Sequence, residues 1–168
     1  MELQRKVILI TGATGGIGAA NAQHLAAKGA RVLLLDRGQE PTDAHSADLS
    51  SATACAAGDI STAAATEAAV AQGIGLFGPV NGAFLNAGTE GRVAPFGTKA
   101  LEVFDQVMAV YVRSAFIGLS CLMPVLRPQV DEVAALVAFL LCDAAVFCNG
   151  ATYQIDGARM AGPRARNF

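Results

Sequence analysis

The fold of this chain is decided by the stretch Val7-Ile8-Leu9-Ile10-Thr11-Gly12-Ala13-Thr14-Gly15-Gly16-Ile17-Gly18. Its first four residues are apolar and mostly β-branched, so they predict a buried β-strand over Val7–Ile10. A helical pattern follows the glycines and predicts a helix over Gly18–Lys28, with Gly29 at its C-terminal end. A strand, a glycine-rich turn and a helix therefore follow one another directly.

This turn has the features of an anion-binding site. The first N–H groups of a helix have no intrahelical partner, and the helix dipole favours negative charge there. A side chain at Gly12, Gly16 or Gly18 would keep a pyrophosphate from approaching the backbone. A second apolar strand, Arg31–Leu35, ends in Asp36, where a dinucleotide fold places the carboxylate that binds the ribose hydroxyls. These features predict a dinucleotide site, and the alternative is an ordinary strand–turn–helix unit without a ligand.

Composition restricts the class of protein. A chain of 168 residues suits one domain, predicted over 1–168, and its 53% of apolar residues argues against disorder. The net charge of −2, with no basic stripe before the C-terminal tail, argues against nucleic acid as the main partner. Glu2 is atypical of a signal peptide, and the longest apolar run, Val133–Cys142, is too short to span a bilayer. We therefore expect a cytoplasmic protein that does not bind membranes.

The remaining elements are predicted from their patterns. The polar segment 37–51 predicts a loop. A weak strand over 53–57, a helix from about Thr62 to Gln72 and a strand over 80–85 follow. Next come a long helix from about Leu101 to Met123, a helix starting at Asp131 and a last strand over 151–155. One predicted apolar stripe of the long helix comprises Phe104, Val107, Met108, Tyr111, Val112, Ala115, Leu119 and Leu122.

Alternating strands and helices predict an α/β fold with a parallel sheet covered by helices on both faces. Ligands of such folds bind at the carboxyl ends of the strands, where the strand order reverses. The Gly12–Gly18 turn, Asp36, Asp59 and the segment Asn86–Gly88 all follow carboxyl ends of predicted strands. We expect these four loops to meet at one crevice.

These motifs make the chain resemble the short-chain dehydrogenase/reductase family. Residues 11–18 resemble its TGxxxGxG turn, Asn86-Ala87-Gly88 resembles its NAG motif, and Gly58-Asp59-Ile60 resembles its adenine-contacting segment. The resemblance covers nearly the whole chain. It implies a Rossmann-type doubly wound sheet and hydride transfer between a nicotinamide and a small alcohol or carbonyl substrate. It also implies a homodimer or homotetramer built on the long helix and the last strand.

The resemblance assigns binding roles to the matching positions. Pyrophosphate and the adjacent ribose would be held by Gly12, Thr14, Gly16, Ile17 and Gly18, the adenosine ribose by Asp36, adenine by Asp59 and Ile60, and the nicotinamide ribose by Asn86, Ala87 and Gly88. A carboxylate at position 36 repels a 2′-phosphate, so NAD is expected rather than NADP. Arg37 weakens that expectation, because an arginine after the strand can accept the phosphate.

The catalytic Ser-Tyr-Lys set of the family is absent from this chain. A phenol with an ordinary pKa of about 10 needs help, such as a nearby lysine, to act as an acid or base near neutral pH. Tyr111 is followed four residues later by Ala115, and Tyr153 by Gly157, so neither has the lysine. We therefore predict no catalytic residue here and an inactive chain by itself. The histidines and cysteines show no metal-ligand spacing, so no metal is expected.

The expected alternation of strands and helices breaks near residue 127. The long helix and the next one are joined by a few residues without a strand. We predict that about 80 residues, judged against a usual domain of roughly 250, are absent between Arg127 and Asp131. Either the full protein contains a segment that this sequence lacks, or the segment is deleted. The first is favoured because losing central strands would expose apolar faces and unpaired edges.

Three functional hypotheses follow. The first is an NAD(H)-dependent oxidoreductase whose catalytic Ser, Tyr and Lys lie outside this chain. The second is a truncated relative that binds a dinucleotide without turnover. The third is an enzyme that uses Tyr111 as its acid. The family usually has an asparagine at position 111, and a tyrosine in an apolar stripe favours a core or pocket-wall ring.

Overall fold

The structure is a computed structural model that describes residues 3–47, 49, 52–93, 95–98 and 100–124. Its strands are β1 (Val7–Thr11), β2 (Arg31–Asp36), β3 (Thr53–Ala57) and β4 (Gly82–Leu85). Its α-helices are α1 (Gly16–Ala27), α2 (Gln39–Ala47), α3 (Ala63–Phe77), α4 (Leu101–Met108) and α5 (Ser114–Leu122). A short 3₁₀ helix spans Phe96–Thr98, and a π-helical turn over Ala109–Arg113 joins α4 to α5.

The four strands form one parallel sheet in the order β3-β2-β1-β4. Ile10 of β1 pairs with Leu34 on one side and with Phe84 on the other. The chain thus moves outward from β1 to β3 and then returns to the opposite side of β1. This reversal opens a crevice at the carboxyl ends of β1 and β4, as expected for a doubly wound, Rossmann-like fold.

Successive side chains of a strand point to opposite faces of the sheet, so the core is divided into two layers, one on each face. Leu9 and Leu33 face the layer that also contains Val70 of α3 and Leu122 of α5. Ile10, Val32 and Leu34 face the other layer, with Ala22 and Ala26 of α1. Because β2 is buried on both faces, it reads as a continuous apolar run rather than an alternating one. Helices on both faces of the sheet confirm the predicted α/β fold.

The segment predicted as a loop over 37–51 contains a helix, so that prediction was wrong. The sequence of helix α2 has no apolar periodicity from which a helix could be predicted. Polar contacts stabilise this helix instead. Gln39 Nε2 donates to Asp43 Oδ1 at 2.7 Å, one turn along, and the fully buried Thr42 donates its hydroxyl to the Gly38 carbonyl. A proline in the first turn does not break a helix, since N–H groups there have no intrahelical partner. His45 lies on this helix, half-buried, with Nε2 unpaired among the described residues.

The apolar stripe predicted for the long helix is also not its buried face. Phe104, Tyr111 and Leu119 are each more than half exposed. The buried positions are Val110, Ile117, Gly118 and Leu122, and of these only Leu122 belongs to the predicted stripe. Apolar residues occupy both sides of this helix, so periodicity did not identify the side that packs on the sheet.

Three predictions lie outside the described residues. These are the helix from Asp131, the strand over 151–155 and the junction between Arg127 and Asp131. They stay predictions.

Candidate dinucleotide site

The glycine-rich turn leaves the N-terminus of α1 open. Gly12 has a φ of +65°, a left-handed conformation that favours glycine, and Gly15 N–H donates to its carbonyl. Helix α1 then begins at Gly16, with no side-chain hydrogen bond at its cap and no acidic residue in its first turn. The first N–H groups of α1 are therefore open to an external anion.

Gly12, Gly16 and Gly18 of this turn have different roles, which corrects the single role expected for them from the sequence. A Cβ at Gly12 would lie 2.8 Å from Ala87 Cα, so this glycine lets the turn after β1 approach the segment after β4. A Cβ at Gly18 would overlap the Gly12 carbonyl oxygen, so Gly18 lets the helix pack on the turn. A Cβ at Gly16 would meet nothing within 4 Å. Of the three, only Gly16 leaves space that a ligand can fill.

Asp36, at the end of β2, is bound to the glycine-rich turn. Its Oδ2 accepts hydrogen bonds from Thr14 N–H at 2.9 Å and from the Thr14 hydroxyl at 2.7 Å, while Oδ1 accepts from Arg37 N–H. Burial opposes ionisation and is the largest single influence, but these hydrogen bonds and the Arg37 charge together lower the pKa of Asp36 below its ordinary value. The site therefore presents a carboxylate beside the turn at neutral pH.

The segment after β4 is fastened to the same turn. Asn86 Nδ2 donates to the carbonyls of Thr11 and Gly12, both at 3.2 Å, and Ala87 N–H donates to Thr11 Oγ1. The Asn86 side chain thus holds the carboxyl ends of β1 and β4 together. Gly88 follows at the surface of the crevice, covered by Tyr111 of the π-helical turn.

These loops enclose a cavity of about 650 Å³, a volume typical of small-molecule sites. It extends across the carboxyl ends of the strands, from the end of β2 to the end of β4. Its lining residues are Gly12, Thr14, Gly15, Gly16, Ile17, Asp36, Arg37, Gly58, Ile60, Asn86, Ala87, Gly88, Thr89, Glu90, Val110 and Tyr111.

The structure brings together most of the predicted binding residues. Two of them do not line the cavity: Gly18, which is buried under the turn, and Asp59. Asp59 Oδ1 instead accepts a hydrogen bond from Ser61 N–H, and this bond is the main reason that the pKa of Asp59 is lowered. Thr89 and Glu90 also line the cavity but were not predicted from the sequence. Both directly follow Asn86-Ala87-Gly88, so a predicted site that included the whole loop after β4 would have contained them.

Tyr111 forms part of the cavity wall and not of the core. Its side chain is 52% exposed, and a Cβ at Gly88 would lie 2.7 Å from its hydroxyl oxygen. Of the roles weighed from the sequence, the structure supports the pocket-wall ring. Within the described part of the chain, no cluster of three metal-ligating side chains occurs and no helix is long and apolar enough to cross a membrane.

Comparison with known proteins agrees with this geometry. The sequence model of the family described as short chain dehydrogenase matches residues 6–137. Levodione reductase of Leifsonia aquatica is 36% identical over 131 residues, which cover 74% of this chain and 48% of that protein.

Solved structures of dehydrogenases and reductases are also similar to this chain. The crystal structure of NAD⁺-bound xylitol dehydrogenase has a TM-score of 0.71 and 29% identity, over 74% of this chain and 49% of that one. The structure of 3-ketoacyl-(acyl-carrier-protein) reductase from Brucella melitensis complexed with NADH also has a TM-score of 0.71, at 32% identity over 74% of this chain and 51% of that one. This chain thus spans about half the length of these relatives.

Proposed function

The chain belongs to the short-chain dehydrogenase family, and from that premise we propose that it is the NAD(H)-binding part of an oxidoreductase acting on an alcohol or ketone. Its relatives include named dehydrogenases and reductases, and the structures that resemble it include one bound to NAD⁺ and one bound to NADH. The residues that carry the chemistry would lie outside this chain, which spans about half of those proteins.

One observation carries this proposal: the open N-terminus of α1, the Asp36 carboxylate and the Asn86–Gly88 segment line a single cavity. In the proposed complex the pyrophosphate lies against Gly16 and Ile17, where a helix N-terminus favours an anion. The adenosine ribose lies against Asp36, and the nicotinamide ribose lies beyond β1, against Gly88. A dinucleotide, which has a nucleoside at each end and a charged pyrophosphate between them, matches this order of groups along the cavity.

A bound nicotinamide would supply the hydride donor or acceptor. This chain would hold and orient the nucleotide, while proton transfer needs a group that it lacks. Among the described residues, Tyr111 is the tyrosine that lines the cavity, and Ala115 follows it four residues later, where the family's tyrosine has a lysine. The proposed catalytic Ser, Tyr and Lys therefore belong to residues outside this sequence.

We also propose that copies of the whole protein associate. The outward side of α4 and α5 exposes several large apolar side chains, among them Phe104 and Phe116 at 58% and 71%. Several large exposed apolar side chains on two consecutive helices are a feature of protein interfaces.

The purified chain of 168 residues is expected to bind NAD⁺ and NADH but not to oxidise NADH with a panel of small carbonyl compounds. Titration calorimetry measures binding, and the loss of NADH absorbance measures turnover. Absence of heat with both nucleotides would contradict the proposed site. Turnover by a protein whose intact mass is 17.1 kDa would instead show that the catalytic group lies within this chain.

The intact mass of the protein from its natural source distinguishes the remaining alternative. A mass several kilodaltons above 17.1 kDa supports the oxidoreductase. A mass near that value, with binding but no turnover, supports a dinucleotide-binding relative without activity.

Asp36→Asn is expected to raise the affinity for NADP relative to NAD roughly tenfold or more, because it removes a negative charge that would face the 2′-phosphate. Asparagine retains an oxygen that can accept the Thr14 hydrogen bonds. Calorimetric titration with both nucleotides measures the ratio of affinities. Asp43→Asn is the matched control, since Asp43 lies on α2 and does not line the cavity. An unchanged ratio in Asp36→Asn would show that Asp36 does not face the ribose.

The same variant tests the pKa of Asp36. Because that pKa is lowered in the folded state, its stabilising contribution is complete above the ordinary value of about 3.9 and is lost as the pH falls through the folded-state pKa. The free energy of unfolding of Asp36→Asn should therefore depend less on pH below about 4 than that of the unchanged chain.

A further inference from the structure

Tyr111 lies on the β4 side of the cavity, against Gly88, whereas Asp36 lies on the other side of β1. The sheet order places β1 between β2, which ends at Asp36, and β4, which leads to Gly88. Neighbouring strands are about 4.8 Å apart, so these two ends of the cavity are separated by roughly two strand spacings or more. A ligand that contacts Asp36 through its adenosine half therefore meets Tyr111 only through its other half.

The tyrosine ring also defines the surface over Gly88. A Cβ at Gly88 would lie 2.7 Å from Tyr111 Oη and 2.9 Å from Cζ, so the hydroxyl end of the ring covers this glycine. The side chain remains 52% exposed and lines the cavity, which leaves its polar end within reach of a ligand. A phenol can both donate and accept a hydrogen bond while its ring packs against a flat group.

The backbone of Tyr111 lies in the π-helical turn Ala109–Arg113. Single π turns within α-helices are rare and occur frequently at functional sites. Two residues of this turn, Val110 and Tyr111, line the cavity. The next residue, Val112, is 54% exposed and does not line it.

We infer that Tyr111 is a binding residue for the nicotinamide half of the dinucleotide, with its hydroxyl hydrogen-bonding the ribose or carboxamide beside Gly88. This inference rests on the proposed function, since it assigns a residue to one half of the proposed ligand. It adds a contact that selects the complete dinucleotide over its adenosine half.

The test compares two ligands that share the adenosine end, NAD⁺ and ADP. Tyr111→Phe removes the hydroxyl and should weaken NAD⁺ binding about two- to tenfold, the effect of one hydrogen bond. The same variant should leave ADP binding unchanged, because ADP contacts the cavity only around Gly16 and Asp36. Tyr111→Ala, which also removes the ring, should weaken NAD⁺ binding further. Val112→Ala is the matched control on the same turn and should change neither affinity.

Tyrosine fluorescence gives a second readout, since the chain contains 2 tyrosines and no tryptophan. NADH absorbs where tyrosine emits, so bound NADH should quench Tyr111 by energy transfer. The quenching should persist in Tyr153→Phe, in which Tyr111 is the remaining tyrosine.

The outcomes separate the two proposals. If the unchanged chain binds neither NAD⁺ nor ADP, the proposed function fails and this inference fails with it. If the unchanged chain binds both, but Tyr111→Phe alters neither affinity or weakens both equally, the inference is overturned while the proposed function stands. A selective loss of NAD⁺ affinity with unchanged thermal stability supports the assignment.

Discussion

Gly16→Asp is expected to abolish dinucleotide binding, by a hundredfold or more, without destabilising the fold. The new carboxylate would enter the open space where the pyrophosphate is proposed to lie, and two negative charges about 4 Å apart repel by about 4 kcal/mol at an effective dielectric constant of 20. Apart from its chain neighbours and the backbone of its own helix, nothing lies within 4 Å of a Cβ at this position, so the substitution begins in open space. An aspartate in the first turn of a helix stabilises it by about 0.3–1 kcal/mol.

Binding and stability should therefore change in different directions in this variant. Titration calorimetry with NAD⁺ gives the affinity, and thermal unfolding gives the stability. Gly75→Asp is the matched control, because Gly75 lies in α3, faces open space and does not line the cavity. The control should retain NAD⁺ affinity. If Gly16→Asp binds NAD⁺ within a few-fold of the unchanged chain, the pyrophosphate does not lie at the N-terminus of α1.

Gly18→Ala is expected to destabilise the chain by about 3 kcal/mol, the upper range for overpacked positions. Its Cβ would overlap the Gly12 carbonyl oxygen and would lie 3.0 Å from Ala13 Cα and from Asn86 Nδ2. Two of these atoms belong to the backbone, so a rotamer change elsewhere cannot relieve the clash. The turn would have to move away from α1, and this would also separate Asn86 from its two carbonyl partners. Helix propensity favours alanine by less than about 1 kcal/mol, which is too small to compensate.

Urea unfolding measures this effect, and Gly16→Ala provides the comparison. Both variants place one methyl group near the start of the same helix, but the methyl group at Gly16 meets nothing. We expect a lower urea midpoint for Gly18→Ala only. Equal midpoints for the two variants would mean that the packing of Gly18 against the turn does not contribute to stability.

Strands β1 and β2 were predicted closely because their residues carry strong local signals, whereas the weak signal of β3 was supported by the segment that follows it. The β-branched run of β1 and the continuous apolar run of β2 give their positions within one residue, and β3 was predicted with its exact bounds. Helix α3 was predicted to end near Gln72 but continues to Phe77. Gly73 lies within α3, where the helix packs closely on the sheet: a Cβ at this position would be only 2.8 Å from Leu33 Cδ2. No local sequence pattern reveals that contact.

The location of the site was predictable from the sequence, whereas the hydrogen bonds that its residues make with one another were not. Parallel strands bring their carboxyl ends to one edge, so the convergence of the four loops followed from topology alone. The Thr14–Asp36 hydrogen bonds join residues 22 positions apart, and those of Asn86 to the turn span 74 and 75 positions. Such contacts depend on exact distances between strands, and neither motif nor spacing provides them.

The π-helical turn also determines how this chain can be compared with its relatives. A turn with i→i+5 hydrogen bonds holds more residues than an α-helical turn, so one extra position is inserted into the helix. With a relative whose helix lacks this turn, an alignment that counts evenly along the helix would pair inward positions of one protein with outward positions of the other. Superposed coordinates, and not column counting, should therefore decide which residue of another family member is equivalent to Tyr111.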